Sequence, residues 1–161
     1  MNLIDCSYFQ NGPLQIENAG VTDDLDNNAV AVQEAIQGYI EHYQGEFLRK
    51  MLGDILAATV ETHLSTNGID AKLEDLCDRL RQPFAHYVYF KMVGDVNQTM
   101  TVTGLMRIKS ANDNQPPRQR MVSVWNDMVA LNRQFVKWAD TSDYEVFYHV
   151  NMVTPINQFN I

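Results

Sequence analysis

The stretch RQRMVSVWNDMVALNRQFVKWAD, residues 118–140, decides the fold class. At 100° per residue, Met121, Val124, Trp125, Met128, Leu131, Phe135 and Trp138 fall on one stripe. Val122, Val129 and Val136 form a second stripe, seven residues apart and turned from the first by about 130°. Gln119, Ser123, Asn126, Arg133 and Lys137 hold the polar arc that remains. A helix with so wide an apolar arc lies between two layers. Either both layers belong to this chain, the commoner arrangement for one helix, or the Val stripe meets a second subunit.

Upstream, a helical period runs over residues 28–64, where Val32, Ile36, Tyr39, Ile40, Tyr43, Phe47, Met51, Ile55 and Leu56 recur at steps of three and four. Gly38, Gly45 and Gly53 interrupt it, each at a cost of about 1 kcal/mol relative to Ala. Breaks are expected near Gln44-Gly45 and at Gly53, with a stop at Thr66-Asn67-Gly68. Asp70 suits the N-cap of a further helix with Leu73, Leu76, Cys77 and Leu80 on one side. Pro83 suits the first turn of another helix, since it biases Gln82 out of the α region. Phe84, Tyr87, Tyr89 and Phe90 then fit a helix buried on more than one side.

The period changes at residues 99–109. Met100, Val102, Met106 and Ile108 alternate with polar neighbours in a Thr-rich run around Gly104, the pattern of a strand or a hairpin. A lone hairpin is marginal in water, so it is expected to lie on the chain's own helices or on another subunit. Residues 110–117 read as a loop. The first 27 residues are irregular, with a turn at Asn11-Gly12-Pro13, a short strand at Leu14-Gln15-Ile16 and a helix entry at Asp23, Asp24 and Asp26. The tail 141–161 reads as extended chain ending in Ile161. The expectation is one mainly α domain over 1–161: a helical bundle with helices at about 28–65, 70–94 and 118–140. An inserted β-hairpin or long strand-loop arm spans about 98–110, and both termini are extended.

The chain has 161 residues, 45% of them hydrophobic, which is long enough for one real core and too apolar for a disordered chain. No apolar run approaches the about 20 residues of a membrane span. The opening residues lack the basic and apolar regions of a secretory signal, and two cysteines make no disulfide scaffold, so a reducing compartment is expected. The net charge of −8 argues against a general nucleic-acid binder. It is unevenly spread: residues 1–78 carry 14 acids and three bases, whereas residues 79–161 carry six acids and nine bases. The halves attract either within one domain or between copies of a polar molecule.

Chemistry-bearing motifs are missing. His42, His63, His86 and His149 have no His or Cys partner at zinc-ligand spacing, and the Asp23–Asp26 cluster lacks the glycine and distal Glu of a calcium loop. There is no phosphate loop and no nucleophile elbow. Arg118, Arg120, Arg133 and Lys137 might suggest phosphate contacts with Trp125 and Trp138 stacking, but both rings sit on the apolar stripe, where core packing is the expected role. No catalytic, cofactor or metal residue is expected, which leaves a structural or binding protein.

The run Ile40-x-x-Tyr43-x-x-x-Phe47-Leu48-x-x-Met51-Leu52-Gly53-x-x-Leu56 resembles the helical signature of head–tail connector proteins of tailed bacteriophages, also called adaptor, neck-ring or head-completion proteins. Several further elements are similar to the versions found in phages of Bacteroides-type hosts. They are Ile4-Asp5-x-Ser7-Tyr8-Phe9, Tyr87-Val88-Tyr89-Phe90, Thr103-Gly104, Trp125-Asn126-x-Met128-Val129-x-x-Asn132 and Pro155-Ile156-Asn157-x-Phe159-Asn160-Ile161.

The resemblance implies a helical bundle, made in the host cytoplasm and built into the virion. About a dozen copies would form a ring between the portal and the next ring or tail protein, with DNA passing through unbound. It implies no enzyme activity, cofactor or membrane partner. Met100, Val102, Met106, Ile108, Val122, Val129, Val136, Phe159 and Ile161 are the expected interface positions. The alternative reading is a small protein–protein interaction module that forms no ring.

Overall fold

In a computed structural model, residues 1–17, 19, 27–66, 70–98, 117–157 and 159 are described. They form four α-helices: α1 (Asn27–Leu52), α2 (Asp54–Thr66), α3 (Ala71–Gln98) and α4 (Pro117–Ala139). Two 3-10 turns precede α1, at Cys6–Phe9 and Gly12–Leu14, and one follows α4, at Val150–Val153. The chain is mainly helical, as its periodicity requires. There is no strand among the described residues. Positions 99–116 and 160–161, which carry the expected arm and Ile161, lie outside them, as do Asp23, Asp24, Asp26 and Gly68.

α3 is the middle layer. Residues 83–89 are buried without interruption, a pattern that a helix adopts only when it is covered on every side. α1 and α2 cover one side and α4 covers another. Aromatic rings knit the layers: Tyr87 of α3 meets Phe47 of α1 at 5.5 Å and Trp125 of α4 at 6.4 Å. Phe90 packs on Trp125 at 4.8 Å. The irregular N-terminus is equally part of the core, inserting Leu3, Ile4, Phe9, Leu14 and Ile16, all buried.

Several expectations are corrected here. Pro83 starts no new helix; it lies inside the continuous α3. An interior proline costs about 3 kcal/mol, but Leu76, Cys77 and Leu80 before it and Phe84, Tyr87 and Val88 after it are all buried. Each such side chain is worth about 1.5–3 kcal/mol when withdrawn from water, so burial on both sides of Pro83 keeps one axis. Leu14-Gln15-Ile16 is no strand: Leu14 closes a 3-10 turn started by Pro13, and the Ile16 amide donates to the Phe9 carbonyl at 2.8 Å. The expected break at Gly45 is absent as well. Gly45 serves close packing instead, because a Cβ there would come within 2.8 Å of Glu61 Oε1 on α2.

The expected break at Gly53 is present and sharp. Its φ of +78° is the left-handed conformation that glycine adopts without penalty, and it ends α1. The break also resets the phase of the apolar stripe. Ile55, expected on the buried face, is 88% exposed. The last carbonyls of α1 are satisfied by the C-terminal segment, as the Phe147 amide donates to Leu52 O (3.4 Å) and the His149 amide to Lys50 O (2.8 Å).

α3 opens as expected on Asp70, whose Oδ1 accepts from the amides of Lys72 (2.9 Å) and Leu73 (3.3 Å). Replacing Gly53 with Ala forces a side chain into the left-handed region and within 3.1 Å of Phe147 Cβ. The expected loss is about 1–2 kcal/mol, read as a lower denaturant midpoint with an unchanged slope.

Candidate interaction surface

The C-terminal segment explains most of the second stripe on α4. It runs back along the helix, and α4 holds it by its main chain. Trp125 Nε1 donates to Thr154 O at 3.0 Å, Asn132 Nδ2 to Met152 O at 2.7 Å and Arg133 Nε to Val153 O at 2.9 Å. Asn126 acts twice on Ile156, donating to its carbonyl (3.0 Å) and accepting from its amide (2.9 Å), as a neighbouring strand would. Met152 is the one fully buried anchor of the 3-10 turn. Backbone-directed contacts of this kind fix an extended segment without reading its side chains.

The expected interface residues therefore divide. Val129 is 2% exposed and packs inside the chain's own fold, and Val136 is half-buried against the core. Val129 therefore offers no free surface. Val122 lines an open groove of about 500 Å³ with Gln119, Asn126, Ile156, Asn157 and Phe159. Phe159 is 83% exposed. Met100, Val102, Met106, Ile108 and Ile161 lie outside the described residues.

A second apolar surface gathers where α1 meets α2. Ile55, Phe147 and Val150 project into solvent there, with Phe147 seated over Gly53. The sequence pattern missed this surface because Ile55 fits the stripe of α1 until Gly53 is read as a change of axis. Phe147 and Val150 sit in a stretch with no period at all. The role of Asn126 was hidden as well, since it looks like an ordinary polar-arc residue, whereas Asn132 stands out as a polar group on the apolar stripe.

The titratable groups serve packing. Glu46 Oε1 accepts from Tyr87 OH at 2.8 Å and from Lys50 Nζ, with Lys91 Nζ 3.9 Å away. Burial pushes the Glu46 carboxyl up, but the bonds from Lys50 and Tyr87 and the nearby Lys91 outweigh it and hold it below the ordinary glutamate range. Burial and then the Glu46 bond push the Tyr87 phenol well above its usual value. Burial, with a 3.0 Å bond to Asp95, pushes Tyr39 up to about 12. His86 is buried, with Nδ1 2.8 Å from Gln82 O, and burial depresses its pKa. His63 Nε2 lies 3.2 Å from Glu74 Oε2, joining α2 to α3, and its hydrogen bond lowers the Glu74 pKa.

Among the described residues no three His, Cys, Asp or Glu side chains gather to hold a metal ion. Both tryptophans are occupied within the fold: Trp138 packs on Phe135 and Tyr144 and carries the Arg79 guanidinium 4.3 Å above its ring.

The charge asymmetry is only partly neutralised inside the chain. Lys91–Glu46 crosses the two halves in the expected sense, whereas Lys72–Asp143 crosses them in the reverse sense. Arg79 and Arg81 also cross them in the expected sense, pairing with Asp75, Glu74 and Asp78 of their own helix.

Comparison with known protein families, curated proteins and solved structures finds no match for the chain. No helix among the described residues is long and apolar enough to cross a membrane.

Stability is expected to form a plateau in pH. The unfolded chain takes up protons more readily than the folded one at His86 below its ordinary value of 6.5, and at Glu46 and Glu74 below 4.5, so stability falls on acidification. Folded Cys77, pushed up to about 11 by burial, and Tyr39 hold their protons past the ordinary values of 9.0 and 10.0, so stability falls again in alkali. Urea denaturation across pH 4–11 checks both limbs; Tyr87→Phe should shrink the alkaline one.

Proposed function

We propose that this chain is a non-enzymatic structural protein of a tailed-bacteriophage virion. In this reading it is a connector subunit whose copies, about a dozen, form a ring between the portal and the next neck or tail component. One observation carries the reading: the fold leaves Ile55, Phe147, Val150 and Phe159 between 64% and 88% exposed although its core is well filled. Apolar side chains that are exposed together in a patch mark contacts with other chains.

The sequence elements that resemble connectors add support, because Trp125-Asn126 and Asn132 are the residues that hold the C-terminal segment. The acidic N-terminal half suits a channel wall that lets a duplex slide, since each Lys or Arg contact to phosphate adds affinity and drag. In this account residues 98–110 form a hairpin or strand-loop arm that carries Met100, Val102, Met106 and Ile108 to a neighbour. Phe159 and Ile161 anchor the end of the tail in the same way.

Electron microscopy of the purified chain, alone and mixed with a phage portal protein, tests the reading. Rings with a central channel are expected, and deletion of residues 99–109 should reduce their yield. Complete absence of rings in both samples overturns the proposal, and light scattering then separates a monomeric interaction module from other assemblies.

A further inference from the structure

The two apolar surfaces differ in shape and in the charge around them. At the α1–α2 junction Ile55, Phe147 and Val150 are 88%, 64% and 74% exposed and stand out as a knob. Asp54 and Glu145 flank them, both exposed and in no ion pair among the described residues. The two nearest cations in sequence on the α1 side are already engaged, Lys50 by Glu46 and Arg49 by Glu61 at 3.8 Å.

At the other end of the C-terminal segment lies the groove. Val122, Ile156 and Phe159 give it an apolar lining, the doubly bonded Asn126–Ile156 pair fixes its geometry, and its volume is about 500 Å³. Exposed Arg118 sits one residue from its lining residue Gln119 and one helical turn from Val122. A protruding, acid-flanked apolar surface and a concave, base-flanked one on the same molecule are complementary between copies.

We infer that the knob of one copy seats in the groove of a second copy. This rests on the ring reading above and specifies it, by naming the faces through which neighbouring subunits join. Because the two surfaces are different, the contact is heterologous: each copy keeps a free knob at one end and a free groove at the other. Such a contact propagates in one direction and closes into a ring when the rotation per subunit permits. The flanking charges steer the encounter and reject the knob-to-knob approach, where carboxylates would face each other.

The test uses the full chain and two substitutions. Ile55→Asp removes the knob's most exposed side chain and adds a carboxylate in the first turn of α2, where the helix dipole favours it. Val122→Glu places a charge in the groove, and Phe159→Asp replaces it if circular dichroism shows that Val122→Glu fails to fold. By sedimentation velocity the wild type is expected to associate above its monomer mass of 18.4 kDa, less at high salt. Each variant alone should associate at least about tenfold more weakly.

An equimolar mixture of the knob and groove variants should form a 1:1 pair, through the intact knob of one and the intact groove of the other. A wild type that stays monomeric from micromolar to millimolar concentration overturns the contact, as does a mixture that forms no pair. Rings that persist in both variants also overturn the contact while leaving the ring reading in place. Variant-sensitive chains or pairs without rings uphold the contact and count against the ring.

Discussion

The burial of residues 83–89 of α3 on every side is the constraint from which the remaining architecture follows. A helix covered all round needs a layer on each flank, and this chain supplies α1 with α2 on one and α4 on another. It also needs every buried polar group matched, since an unpaired one costs about 1–3 kcal/mol. Tyr87 is matched by Glu46 across the α1 interface and His86 by the Gln82 carbonyl one turn back. The same burial keeps α3 continuous through Pro83, which a more exposed helix would register as a break.

Much of this was legible in the residues. The three- and four-residue spacing of α1 and α4, the Asp70 cap and the Gly53 break each have a local cause that acts whatever the tertiary surroundings. The aromatic density at 84–90 likewise announced a buried helix. What escaped was decided non-locally. Pro83 reads as a boundary until burial on both sides is weighed, and Gly45 reads as a break until Glu61 of α2 is seen against it. Ile55 fits a stripe that ends two residues earlier.

The interface candidates show the same division. The second Val stripe was legible as a surface that something must cover, but sequence alone left open whether the cover comes from this chain or another. The structure answers for Val129, which is buried within the chain's own fold. That segment is fixed through carbonyls and amides, by Trp125, Asn126, Asn132 and Arg133, and so leaves little trace in its own side-chain pattern. Its outward residues, Phe147 and Val150, are consequently free to carry another task. The net charge of −8 likewise hides a basic α4 within an acidic molecule. Hydrophobic layers fix the interior, and several apolar and charged residues are left outside.

Hydrogen exchange read by mass spectrometry, on dispersed and assembled protein, tests this account most directly. Residues 83–89 should exchange slowest in both states, because only global unfolding exposes them. On assembly, new protection should appear at residues 54–56 and 147–150 and at residues 119–126 and 156–159. Assembly that protects neither surface, or that changes exchange in the α3 core, would contradict it.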